Sequence, residues 1–211
     1  LMNVNNGEII SIVSLPDFDP NRRINITDVK YINRATKGVY ELGSVFKTFT
    51  LAAALNEGSL DIDTEFKDLE KSIKCGKNTI SEYDNKIPTN LSAEQILIRS
   101  GNIGSVRIGQ SIGLEKFKEF MNELSLINQI QFDIQEVGVP VSFKWGKCKL
   151  ATASYGHGIT TTILQLANAY SVIVNGGYKI IPTLIKKKTS IKRKKILKND
   201  VSKKINLILR K

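Results

Sequence analysis

Apolar positions recur at strand-like intervals near the two ends of the chain and at helix-like intervals between them. At the front, LMNVNNGEIISIVSL sets two apolar runs around Asn5-Asn6-Gly7, which predicts a hairpin. PDFDPN at 16–21 is a turn-rich exit, and the polar sequence up to Gly43 reads as loop. The pattern changes at SVFKTFTLAAALNEG, where Phe46, Phe49, Ala53 and Ala54 fall near helical spacing, with Ser44 in front and Gly58 as the stop.

Residues 60 to 90 are mixed and polar. LSAEQILIRSGN then predicts a short helix capped by Ser92 and running out at Gly101, which leaves Asn102 on a turn. GSVRIGQSIGLEKFKEFMNEL continues helically, and ILQLANAYSVIV at 163–174 gives another helix, stopped by Asn175-Gly176-Gly177. YKIIPTLI predicts a strand pair broken at Pro182, and VSKKINLILRK a last helical segment. Strand in front, a mostly helical middle over about 44–175 and strand returning at the end make this an α+β chain, 1–211 being one domain.

Charge changes that picture little. The formal net charge is +11, and its densest run is KKKTSIKRKKILK at 186–198. It has no interleaved aromatic residues for base stacking and no nucleic-acid fold signature beside it, so a solvated basic loop is expected and nucleic acid is not a predicted partner. The two cysteines, Cys75 and Cys148, lack metal-site or framework spacing, so neither a zinc site nor a disulfide framework is predicted. His157 is the only histidine. Between Gly156 and Gly158 it reads as turn packing, as Trp145 reads as core packing. No apolar stretch reaches the length of a membrane span, and the start at Leu1, already strand-like, suggests a trimmed chain entered in mid-domain.

Candidate chemistry begins at Ser44 and Lys47. Three apart at the head of a predicted helix, they share a face about one turn apart, a rise of roughly 4.5 Å. An amine desolvated among Phe46, Phe49 and the alanines would lose basicity and could take the serine proton, while the helix N-terminus favours negative charge developing beside Ser44. Alone, S-x-x-K reads better as a helix N-cap followed by a surface amine, and only its context favours chemistry. Ser100-Gly101-Asn102, the only S-x-N in the chain, supplies a hydroxyl able to pass a proton and an amide able to orient the lysine and a substrate carbonyl.

S-x-x-K followed by S-x-N is the order of the first two motifs of penicillin-binding proteins and serine β-lactamases, whose third is Lys-Thr-Gly. The flanks carry the likeness further. GEIISIVSLPDFDPN, INRATKGVYELGSVFKTFTLAAALNEG and ATASYGHGITTTILQLANAYSVIVNGGYKIIPTLI each resemble stretches of the class B penicillin-binding proteins, in order over nearly the whole chain. The resemblance implies the transpeptidase fold of that family. Ser44 would be the acylated nucleophile, Lys47 its general base, and Ser100 and Asn102 the proton shuttle and substrate contacts. No metal or cofactor is implied.

Its substrate would be the D-Ala-D-Ala end of a peptidoglycan stem peptide, with β-lactams as covalent mimics. Cell-wall synthesis or division proteins would be partners of the parent protein, whose domain would lie in the periplasm on an inner-membrane anchor. The main departure is that no Lys-Thr-Gly occurs in the 211 residues. Lys188-Thr189-Ser190 follows YKIIPTLI too closely to stand for it, so the fold is expected to be incomplete at the C-terminus, with uncovered apolar faces and doubtful activity. Two other readings stay open: a serine β-lactamase or β-lactam sensor, for which Glu94 is the only acid near the second motif in sequence, and a catalytically dead remnant acting as a binding surface.

Overall fold

The computed structural model describes residues 1–22, 27–186 and 193–211. At its centre lies α1 (Lys47–Glu57), every residue of which from Lys47 to Leu55 is buried. A helix of Phe, Leu and three consecutive alanines has no polar face to offer water and is stable only when neighbours surround it. Gly58 ends it in the left-handed conformation, φ 70°, returning its N–H to Ala54 and Leu55. Around α1 pack α3 (Asn102–Ile112), α4 (Leu114–Glu123) and α7 (Asn199–Ile208), with α5 (Lys147–Ser154) against α3. Thr50 on α1 donates to the Ser154 carbonyl at 2.8 Å and ties α1 to the end of α5.

Two helices begin on reciprocal caps that the sequence carries openly. Ser92 and Gln95 form a capping box at α2 (Ala93–Ile98), and Thr162 and Gln165 form another at α6 (Ile163–Val174). α5 is a helix that the apolar spacing does not announce. Asn102 does not lie on the turn; it is the first residue of α3. The turn is Arg99–Gly101, with Ser100 in the left-handed conformation at φ 54°.

The strands are short and form two-residue or four-residue ladders. β1 (Val39–Tyr40) pairs with β6 (Thr161–Thr162), β2 (Glu65–Phe66) with β5 (Leu91–Ser92), and β3 (Ser72–Cys75) with β4 (Asn78–Ser81), all antiparallel. The hairpin β3–β4 turns at Gly76, φ 63°, inside the stretch read only as mixed and polar. The front of the chain does fold back at Gly7, with a Met2–Ile9 bridge, and Glu8 lies parallel to Thr183. These are single bridges, not ladders, although Ile10 and Ser11 still donate to the Leu1 carbonyl. Ile10, Val13, Leu15, Leu184 and Ile185 there are exposed. Lys188-Thr189-Ser190 lies outside the described residues, as does the middle of the basic run. Of the rest of that run, Lys194 pairs with Glu123 at 2.7 Å.

Cys75 and Cys148, whose state their spacing leaves open, are bonded, Cα to Cα 5.4 Å, and join the β3–β4 hairpin to the start of α5. A separation of 73 residues leaves no local signature in sequence. Trp145 packs edge-on against Phe143 and Phe117, as expected of a core aromatic.

Candidate active site

Gly43, at φ 63°, turns the chain into a short 3-10 segment, Gly43–Phe46, that runs directly into α1. Ser44 is exposed on that segment, and its carbonyl accepts the Lys47 N–H. Lys47, one turn on, is 2% exposed. That disposes of the reading in which Ser44 is an N-cap and Lys47 a surface amine: Ser44 caps nothing, and the ammonium is inside. Tyr170 braces this corner, its hydroxyl donating to the Val45 carbonyl and meeting Thr48 Oγ1, both at 3.0 Å.

Burying an amine is unfavourable unless its protons are met. Lys47 Nζ has three acceptors: the Ser100 carbonyl at 2.5 Å, Ser100 Oγ at 3.0 Å and Asn102 Oδ1 at 2.7 Å. Ser100 supplies two of these because it takes the left-handed conformation at the end of α2, a conformation costly for a residue with a Cβ and retained where the surroundings dictate it. Desolvation draws Lys47 down from 10.5 to about 8, against an opposing push from the Glu82 carboxylate.

The three acceptors are not equivalent. A carbonyl and an amide oxygen can only accept, whereas a hydroxyl can also donate. When Lys47 is neutral it has two protons and a lone pair, and of its three partners only Ser100 Oγ can supply a proton to that lone pair. A neutral Lys47 therefore places Ser100 on the route by which a proton enters or leaves the amine.

The amide of Asn102 is oriented from behind. Its Nδ2 donates to the Ser81 carbonyl at 2.9 Å, which turns Oδ1 toward Lys47. Glu82, next along the hairpin strand, accepts the backbone N–H of Asn102 at 2.6 Å and of Ile103 at 2.9 Å. The residue before α3 is Gly101, which has no side chain to cap it, so the cap comes from another element. Glu82 thus replaces Glu94 as the acid beside the second motif. Glu94 instead pairs with Lys211 at 2.7 Å.

Ser44 and Asn102 line one cleft of about 290 Å³, together with Glu41, Tyr83, Tyr155 and His157. The loop carrying Tyr155 to Gly158 lies so close to Gly43 that a Cβ on Gly156 would meet the Gly43 carbonyl at 1.9 Å. His157 is not packed into a turn. Its ring is largely exposed at the cleft, stacked on Tyr155 at 6.0 Å and 3.3 Å from the Glu41 carboxylate. All four residues singled out from sequence thus converge on one place: Lys47, Ser100 and Asn102 in direct contact, and Ser44 on the same cleft as Asn102. Sequence reading missed Ser81 and Glu82, whose roles are set by a hairpin meeting a helix end, an arrangement without a periodic signal.

The body is mixed helix and strand, with Ser44 exposed one turn before a buried lysine on which a second serine and an asparagine close. The penicillin binding protein transpeptidase domain model matches residues 1–211, and the chain belongs to that family. It is 33% identical over 186 residues to the probable peptidoglycan D,D-transpeptidase FtsI of Caulobacter vibrioides, covering 88% of this chain and 31% of that protein. It is 28% identical to the probable peptidoglycan D,D-transpeptidase PenA of Neisseria flavescens, covering 99% of this chain and 52% of that one. The chain thus spans about a third to a half of these relatives' length. In fold it is similar to the transpeptidase domain of Burkholderia pseudomallei penicillin-binding protein 3, with a TM-score of 0.84 at 21% identity, over 99% of this chain and 59% of that one. No helix among the described residues is long and apolar enough to cross a membrane.

Proposed function

We propose that this chain is the acylating part of a peptidoglycan D,D-transpeptidase, with Ser44 as nucleophile, Lys47 as its general base, and Ser100 and Asn102 as relay and orienting groups. The observation that carries this reading is the buried Lys47 amine, held by Ser100 and Asn102 and brought down to about 8. At neutral pH such an amine is neutral about a tenth of the time, whereas an ordinary lysine is so about once in three thousand.

In the first half-reaction Lys47 takes the proton of Ser44 as Oγ attacks the carbonyl between the two D-alanines of a stem peptide. The C–N bond breaks, the proton passes through Ser100 to the departing amine, D-alanine leaves and an ester remains on Ser44. The amine of a neighbouring stem then attacks the ester, gives up its proton along the same route and frees Ser44. With a β-lactam the ring amide opens instead and the amine stays tethered, which blocks the second half. The backbone N–H of Ser44 would be one oxyanion donor. The Lys-Thr-Gly strand that supplies the other in the family is not among residues 1–211.

Against a hydrolytic role, both oxygens of Glu82 accept backbone N–H groups at the N-terminus of α3, which gives that carboxylate a structural use. The Cys75–Cys148 disulfide supports an oxidising compartment, in keeping with a periplasmic domain of an inner-membrane protein that works with cell-wall synthesis or division proteins. The test is intact-mass spectrometry after incubation with benzylpenicillin, comparing the chain with Ser44→Ala. One penicillin added to the Ser44 form alone is expected. A folded chain that takes up none would overturn the assignment.

A further inference from the structure

We propose that the Ser81-Glu82 pair at the end of the β3–β4 hairpin positions the second motif against Lys47, with Glu82 as the positioning residue. Three hydrogen bonds run from this dipeptide to the first two residues of α3. Ser81 accepts the Asn102 side-chain amide, and Glu82 accepts the N–H groups of Asn102 and Ile103. Together they settle both the place and the rotation of Asn102, and with them the aim of Oδ1 at Lys47. Nothing local could do so, because Gly101 precedes α3 and offers no cap. The carboxylate also suits its place, since a helix N-terminus favours an anion.

Glu82 has a second effect through charge. Other ionisable groups stand around the cleft: Tyr83, Tyr155, and Glu41 with His157, which pair with each other. The charge acting on the Lys47 amine is that of Glu82, and it opposes the desolvation. The hairpin is itself held at its far end, where Cys75 is bonded to Cys148 on α5. A displacement of the hairpin would therefore reach the asparagine, the helix cap and the basicity of the lysine together.

This inference rests on the acyltransfer reading for its functional meaning, but its geometry can be tested apart from it. With lysine side chains isotopically labelled, the Lys47 amine is titrated by NMR in the wild type and in Glu82→Gln, and benzylpenicillin acylation is followed against pH in both. Glutamine keeps an oxygen for one N–H and removes the charge, so the Lys47 midpoint is expected to move to lower pH, with the acylation profile following it and its plateau falling. Glu82→Asp, which keeps the charge on a shorter arm, is expected to hold the midpoint nearer the wild type while losing plateau rate. In the wild type alone, the Asn102 and Ile103 amide protons, which have no partner within the helix, are expected to exchange slowly with solvent because Glu82 holds them. That measurement decides the matter even if the Gln variant fails to fold. An unchanged Lys47 midpoint in Glu82→Gln, or Asn102 and Ile103 amides that exchange freely in the wild type, overturns the proposal. If the titrations behave as expected and no protein is acylated, the positioning stands and the acyltransfer reading fails.

Discussion

Replacing Lys47 by Met keeps the length of the side chain and removes its ionisation, so it isolates what the buried amine contributes. In the folded chain the amine gives up its proton near 8, whereas in the unfolded chain it does so near 10.5. Between those values the unfolded state holds more protons than the folded one, and stability must rise with pH. The gap corresponds to about 3 kcal/mol. That is the unfavourable free energy of keeping the ammonium buried at neutral pH, and it is relieved as pH rises through 8 and is gone above 10.5. Lys149 and Lys179 are also drawn down by burial and add slopes of the same sign, so the quantity to read is the wild type minus Lys47→Met difference.

Denaturant unfolding at intervals from pH 7 to 10 is the assay, and the difference curve should climb by most of those 3 kcal/mol. In parallel, the rate of benzylpenicillin acylation should rise about tenfold per pH unit up to about 8 and then level, as the neutral amine saturates. Parallel stability curves for the two proteins would refute the reasoning, as would an acylation rate still climbing with unit slope at pH 10. Either result would mean that Lys47 titrates as an ordinary lysine.

The remaining predictions concern the frame around that amine. Ser100→Ala removes the one lysine partner able to donate as well as accept, and should lower acylation by about 10²-fold or more with the fold retained, as read by mass spectrometry and circular dichroism. Reduction of Cys75–Cys148 opens a crosslink spanning 73 residues and should lower stability by about 4 kcal/mol on loop-entropy grounds. A melt that does not change with reductant would count against it. Gly156→Ala combines a φ of 88° with a Cβ 1.9 Å from the Gly43 carbonyl, so it should displace the segment carrying Ser44 and abolish acylation. Normal acylation in that variant would show that the two loops do not bear on each other.

Much of the helical frame was legible because its signals are local. Gly58 ends α1 and Asn175 with its two glycines ends α6, at the positions where turn chemistry demands it, and the Ser92 cap is a property of four consecutive residues. The β3–β4 hairpin was legible in principle: Ile73 and Cys75 alternate with polar neighbours on one strand, as Ile80 does on the other, around a glycine turn. With only one or two apolar residues on each strand, that alternation does not stand out from the polar stretch around it. The disulfide and the Glu82 cap could not be read at all, since each is a meeting of distant segments. Of the candidate site, the four residues singled out from sequence carry motif spacing; the groups that hold them carry none.

The base of this site is made by the core more than by the cleft. Phe46 and Phe49 on either side of Lys47 are fully buried, as are Ile96 on α2 and Ile103 on α3, and a Cβ on Gly104 would come within 2.6 Å of Ile96. Helices in such close contact have little freedom to slide, so the turn at Ser100 between α2 and α3 is held against α1 by packing, and the lysine loses water for the same reason that the alanines after it do. Ile10, Val13, Leu15, Leu184 and Ile185, all exposed, lie apart from this cluster. On the proposed reading, the proton transfer from Ser44 depends on how α1, α2 and α3 pack around Lys47.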